Sequence, residues 1–158
     1  MTKSPVTSPL RESDRRVTAP ILQATLVDLV DLSLLAKQAH WNVVGSHFRS
    51  LHLHLDELVA IARQYTDDVA ERATAIGVSP DGKASTVAET SGLPSFPEGW
   101  TADTDTIAAV VAMLDALVKR LRQRIDETDK ADLVTQDLLI EIARKIEQQH
   151  WMWQAYRA

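Results

Sequence analysis

Residues 51–77 read LHLHLDELVAIARQYTDDVAERATAIG, and this stretch decides the fold. Leu51, Leu55, Leu58, Ala62, Tyr65, Val69 and Ile76 recur at steps of three, four and seven, the period of a helix with one apolar stripe, and Gly77 follows as a stop. The pattern predicts a helix from about Arg49 to Ile76, roughly 42 Å long at 1.5 Å per residue. With Leu51 at zero and 100° per residue, the stripe spans about 320° to 40°, whereas His52, Asp56, Asp67 and Glu71 fall at about 100°, 140°, 160° and 200°. These polar groups share one face, beside the core rather than within it.

His52 and Asp56 are four residues apart, as are Asp67 and Glu71, so each pair can converge on one ion. Asp56 and Asp67, however, are separated by about 16.5 Å of helix, and two Asp side chains bridged by a metal reach only about 10 Å. One helix cannot bring all four groups to one metal. Two copies packed antiparallel about a two-fold axis can set His52 and Asp56 of one chain against Asp67 and Glu71 of the other, giving two equivalent sites. Any single such pair is more often just a solvated helix face. Two pairs, with His40 near the preceding hairpin turn, favour a site, although His40 taken alone reads as a packing or surface histidine.

Outward from this helix, Ile21, Leu22, Thr25, Leu29, Leu32, Ala36 and Ala39 mark an amphipathic helix beginning near Val17 and ending around Gly45. Residues 77–100 hold four of the five glycines and three prolines, which excludes a continuous helix, although Thr86 to Glu89 can form a turn or two. A structureless loop of this length is unusual in a compact domain. Extended, it reaches roughly 80 Å, enough to return along the bundle. Two more helices are expected at about Thr104 to Glu127 and Leu133 to Tyr156, with Asp129 to Asp132 between them. Two helical hairpins joined by a long crossover between helices two and three is the all-α, ferritin-like four-helix-bundle arrangement. Residues 1–16 read as a mobile tail and 17–158 as the single bundle domain.

Composition fits. The chain has 158 residues, 45% hydrophobic content and no cysteine, so any metal must be held by His and carboxylate groups, which suit iron, manganese or zinc. No apolar run approaches the roughly 20 residues of a bilayer span and no secretory signal is evident, so a soluble, cytoplasmic protein with no membrane partner is expected. The formal net charge of −5 argues against general nucleic-acid binding and is compatible with attracting cations.

His40-Trp41-Asn42, followed by His52, Asp56, Asp67 and Glu71 at the spacing H-x3-D-x10-D-x3-E, resembles the signature of the Dps family (DNA-binding proteins from starved cells). The resemblance extends through Val69-Ala70-Glu71-Arg72, the segment Asp132 to Asp137, and His150-Trp151-Met152-Trp153. It implies a hollow homo-dodecamer of tetrahedral symmetry that oxidises Fe(II), preferably with hydrogen peroxide and otherwise with dioxygen, and stores the ferric product as mineral. It also implies that His40, His52, Asp56, Asp67 and Glu71 are iron ligands of an inter-subunit ferroxidase site. Trp41 resembles a family tryptophan that can intercept a stray oxidising equivalent; aromatic packing in a subunit interface is its alternative role. Asp132 and Asp137 resemble the segment lining a three-fold iron-entry pore, and Glu141, four residues on, can extend it. Asp132 is equally a plausible helix N-cap.

Two other readings compete. Glu147 to His150 has the E-x-x-H spacing of di-iron bundles with ligands inside one subunit, but helix two lacks a matching motif. His47, His54 and His150 default to structural roles. A DNA-compacting, nucleoid-associated protein would use a basic tail; here Lys3, Arg11, Arg15 and Arg16 stand against Glu12 and Asp14. Twelve copies at −5 would carry about −60, so only weak, tail-mediated DNA binding is expected.

Overall fold

A computed structural model of the chain describes residues 4–157; Met1 to Lys3 of the expected tail, and Ala158, lie outside the described residues. The elements in order are α1 (Glu12–Asn42), β1 (Val43–Val44), α2 (Phe48–Ala75), α3 (Ala84–Thr90), β2 (Thr101–Ala102), α4 (Asp103–Thr128) and α5 (Leu133–Ala155). Helix α1 packs along α2 and α4 along α5. Contacts of α1 with α4 and of α2 with α5 join the two hairpins into one bundle, and α3 lies against α1 within the crossover. The fold is the all-α, ferritin-like bundle that the spacing predicts. Its core consists of the apolar stripes: Leu22, Leu29 and Leu32, then Leu51, Leu55 and Leu58, then Leu114, Leu117 and Leu121, with Ile142, Ile146 and Trp153 from α5, all fully buried.

Three details depart from the sequence reading. Helix α1 starts at Glu12, more than a turn before Val17. The extra turn is stabilised locally: Glu12 and Asp14 face the positive helix end, Arg15 and Arg16 both pair with Glu12, and the Thr18 hydroxyl donates to the Asp14 carbonyl. Upstream of it Leu10 packs on the core, and the Val6 carbonyl lies beside Gly77 at the end of α2. Second, α1 does contain an 18-residue window long and apolar enough to cross a membrane, with mean hydropathy 1.5. More than half of that window is buried against the other helices, which is how the central helix of a packed bundle meets the same test. Third, β1 and β2 form a two-residue parallel pair, Val43 with Thr101 and Val44 with Ala102. Parallel pairing requires the crossover to return to the end of the bundle where α1 stops.

The crossover is anchored at two places by buried carboxylates. Asp28 sits on the buried side of α1, fully enclosed. Its Oδ2 accepts from Arg120 Nε at 2.8 Å and Arg124 Nη2 at 2.7 Å, and its Oδ1 from the Gly92 amide at 3.1 Å. The Arg120 guanidinium packs directly on Gly92: a Cβ there would lie 2.3 Å from Arg120 Cζ and would displace it from its present position. At the other end of the bundle, Asp103 accepts from the His47 amide at 3.0 Å, from the His47 ring at 2.9 Å and from the Thr104 amide at 2.9 Å. Gly45 lets it come this close: its φ is +130°, and a Cβ would meet Asp103 Cγ at 2.5 Å.

The His47 amide, followed by the His47 ring, holds the Asp103 carboxyl down from 3.8 to about 2, against the opposing effect of burial; Thr104 and Ser46 add to the depression. A carboxyl whose folded value is depressed contributes stability that is complete above its unfolded value and disappears as pH falls through the folded one. Asp103→Asn should therefore flatten the fall in stability between pH 3.8 and about 2. Urea unfolding followed by circular dichroism across that window checks it, and an acid slope equal to that of the parent chain would refute the assignment.

Candidate metal centre

The α1–α2 turn brings His40 and His52 together as stacked rings with centroids 3.6 Å apart. His40 lies in the last turn of α1, where helix carbonyls have no intrahelical partner. His52 Nδ1 donates to the His40 carbonyl at 3.0 Å, and His40 Nδ1 donates to the His52 carbonyl at 2.9 Å. Since a carbonyl only accepts, Nδ1 carries a proton in both rings, and in the neutral form of such an imidazole the lone pair is on Nε2. This is how metal-binding imidazoles are oriented, by backbone acceptors on the opposite ring nitrogen.

Asp56 lies one turn beyond His52, half-exposed, with Oδ1 3.3 Å from His40 Nδ1. Lys37, one turn before His40, places Nζ on the same oxygen at 2.5 Å. The bond from Lys37 is the main cause that holds the Asp56 carboxyl below the ordinary carboxylate range, with the nearby His40 and His52 rings adding to it. Lys37 was not among the residues singled out from the sequence. Its three-residue spacing from His40 was the available signal.

Asp67 and Glu71 are both exposed, further along α2. They do not meet His40, His52 and Asp56: among the described residues no three His, Asp or Glu side chains are grouped to hold a metal. One chain therefore presents two separated halves. Beside the histidine half is a hollow of about 530 Å³ lined by Trp41, Val44, Phe48 and Trp100 among others. Trp41 and Trp100 are 62% and 78% exposed, a large amount of uncovered aromatic surface.

The remaining expected residues separate by environment. Asp132 is buried and caps α5, accepting from the Val134 and Thr135 amides and the Thr135 hydroxyl, and it pairs with Arg72 at 2.5 Å. Burial pushes its carboxyl up, but the bonds from Thr135 and Arg72 outweigh this and the net direction is down. Its carboxylate is thus occupied by the cap rather than presented to solvent, whereas Asp137 and Glu141 are exposed; Glu141 is 3.4 Å from the Tyr65 hydroxyl. Glu147 of the E-x-x-H spacing makes a two-bond pair with Arg122 on α4 and lies away from the interior. His54 is buried, bonded to Gln149 at 3.0 Å and stacked on Trp153, a structural histidine.

The ferritin-like domain model matches residues 20–158. The DNA protection during starvation protein of Mycolicibacterium smegmatis is 34% identical over 150 residues, covering 91% of this chain and 80% of the relative. The chain belongs to the Dps family. DNA protection during starvation protein 2 of Deinococcus radiodurans is 36% identical over 143 residues, covering 90% of this chain, which spans only 59% of that relative's length. Among solved structures, Dps from Microbacterium arborescens in a high iron form superposes with a TM-score of 0.90 at 35% identity, covering 96% of this chain and 98% of that one. Mycobacterium smegmatis Dps superposes with a TM-score of 0.92 at 31% identity, covering 99% and 94%.

Within this Dps chain the two aspartates of α5 should behave differently on substitution. Asp132→Ala should cost about 0.5–2 kcal/mol for the lost cap, and more because Arg72 loses its partner. Asp137→Asn should stay within about 0.5 kcal/mol of the parent. Denaturant unfolding of both variants measures the contrast; equal losses would make Asp137 a structural residue too.

Proposed function

We propose that this chain oxidises Fe(II) and stores the ferric product inside a hollow homo-dodecameric shell, with hydrogen peroxide as preferred oxidant and dioxygen as the alternative. Iron is both substrate and cargo. The observation that carries this reading is the division of α2 into two separate half-sites. His52 and Asp56, with His40 stacked alongside, form one, and Asp67 and Glu71 form the other, exposed and too far along the helix to join it. Two-fold pairing of α2 with a second copy would complete two sites, each with two imidazoles and three carboxylates, a donor set suited to ferrous iron.

In this reading the Nδ1–carbonyl clamp fixes both imidazoles with Nε2 toward the ion, and Lys37, with the histidines, holds the Asp56 carboxyl below its ordinary range. Each Fe(II) gives up one electron. Two of them, with two protons, reduce one hydrogen peroxide to two waters, so ferrous iron and peroxide are consumed together and hydroxyl radical does not form from them. Trp41, adjacent to His40 and open to solvent, is positioned to take up a stray oxidising equivalent or to pack against a second subunit. Iron entry is assigned to Asp137 and Glu141, which on a three-fold axis would focus negative potential; Asp132 would support that pore as the cap of α5. DNA binding is a minor activity in this reading, since Arg15 and Arg16 are already paired with Glu12 in α1. A cytoplasmic location is part of the same proposal.

The direct test is Asp56→Asn and Glu71→Gln, assayed for ferrous oxidation with peroxide and for assembly by size-exclusion chromatography. Both should assemble, and both should slow oxidation by more than the roughly 10–100-fold lost with an outer-shell partner. Parent-like oxidation in both would reject the site. For the pore, Asp137→Asn should slow ferrous uptake at low salt, with the difference shrinking as salt screens the potential; uptake equal to the parent at every ionic strength would remove Asp137 from the entry path.

A further inference from the structure

A second hollow, of about 440 Å³, opens between the N-terminal half of α2 and the C-terminal end of α5. With Leu51 at zero, its lining residues His54 and Glu57 fall at about 300° and 240° around α2, on the other flank of the helix from His52 and Asp56. The hollow is therefore separate from the histidine half-site. Leu53, Met152 and Ala155 give it apolar walls, and Trp151 and Tyr156 add aromatic faces, Trp151 being 66% exposed. An apolar and aromatic lining with a few polar groups, at this volume, is the usual composition of a small-molecule site.

Three polar groups around this hollow are set to accept. His54 Nε2 donates to Gln149 Oε1 at 3.0 Å, because an amide oxygen only accepts, and in the neutral ring the lone pair is then on Nδ1. Trp153 stacks on one face of this ring and Tyr156 lies tilted beside it. Nδ1 has no partner among the described residues, and unlike the neighbouring Trp153 Nε1 it is not sealed inside the protein. His54 is only 7% exposed and lines the hollow, so Nδ1 is the polar edge that the ring offers there. Ser50 uses its proton on the His47 carbonyl at 2.9 Å, so its oxygen too can only accept. Glu57, exposed at the mouth, is the one charged residue in the lining, and no lysine or arginine stands opposite it in the hollow. The Tyr156 hydroxyl can donate or accept.

We propose that this hollow binds a small primary amine in its ammonium form, the N–H groups donating to Glu57 and to His54 Nδ1 and the apolar body lying against Leu53, Met152 and Trp151. An ammonium brings donors to groups that lack them and balances the charge of Glu57. The exposed indole face of Trp151 attracts a cation as well. A carboxylate would meet acceptors and a like charge. A quaternary ammonium would keep the attraction to Glu57 and the indole but has no N–H to give His54.

The experiment is isothermal titration of the assembled protein with hexylammonium, phenylethylammonium, hexyltrimethylammonium and hexanoate, repeated on Glu57→Gln and Ala155→Phe. Glu57 and Ala155 are both exposed, so neither substitution disturbs the core. Ala155→Phe narrows the hollow and leaves the net charge unchanged, which separates seating in the hollow from general attraction of a cation to an acidic protein. The two primary amines should bind the parent, hexyltrimethylammonium should bind more weakly than hexylammonium, and hexanoate should not bind measurably. Each variant should lose at least about tenfold in affinity for the primary amines, about 1.4 kcal/mol. The proposal is overturned if neither primary amine binds, as when a side chain of a second copy fills the hollow in the assembly. It is overturned equally if hexanoate or the quaternary amine binds as tightly as hexylammonium, or if either variant binds the primary amines like the parent.

Discussion

The rotation of α2 about its own axis is the constraint on which the rest depends. Leu51, Leu55 and Leu58 are fully buried, and this locks the helix in one orientation against α1. Once the stripe is fixed, His52, Asp56, Asp67 and Glu71 must point beside the core, and the rise of the helix keeps the two pairs apart. No side-chain rearrangement within one chain can overcome a separation set by the helix backbone. The exposed Trp41, Phe48 and Trp100 around the histidine half reinforce the point, since aromatic surface of this extent normally has a partner. Burying the apolar stripe and holding the two polar pairs apart are consequences of the same helix.

The turn between α1 and α2 handles a second problem economically. Helix α1 ends with carbonyls that need donors, and His52 supplies one of them to His40. The reciprocal bond from His40 fixes the other ring. One of the two contacts supplies a donor to a terminal carbonyl of α1, and together they fix the orientation of both rings. The turn is in turn tied to the start of α4, because Gly45 makes room for Asp103 against the His47 amide and ring. The end of the crossover is therefore coupled to the geometry of the histidine pair through three consecutive residues, Gly45 to His47.

Much of this was legible in the sequence because it depends on local periodicity. The boundaries of α2, α4 and α5 follow their apolar stripes within a residue or two, and the spacing of His52, Asp56, Asp67 and Glu71 implied two separated polar pairs on one face of α2. Other features depend on contacts distant in sequence, and periodicity is blind to them. The β1–β2 pair is two residues long and joins positions 58 apart. The extra turn of α1 rests on the Glu12 pairs rather than on an apolar stripe, so the helix extends beyond its hydrophobic pattern. Asp28 occupies a position one step from Thr25 and one from Leu32, in phase with the core. A charge there signals a buried partner, but only the folded chain identifies Arg120 and Arg124. Asp132 carried two compatible readings, and the depth of its burial, not its spacing, distinguishes them.

The charges of this chain are arranged by whether they must wait for something. Asp28, Asp103 and Asp132 are buried, and each is saturated by donors within the chain, as an unpaired buried carboxylate would be too costly to keep ionised. Asp67, Glu71, Asp137 and Glu141 are exposed, where water stabilises them at little cost and a cation can reach them. Asp56 falls between these two classes, half-exposed beside two imidazoles. Lys37 gives it a counter-charge on a flexible stem, a point charge that is displaced more easily than a rigid arginine fork. A lysine rather than an arginine at this position therefore suits a half-exposed carboxylate, whereas the buried carboxylates Asp28 and Asp132 are paired with arginines.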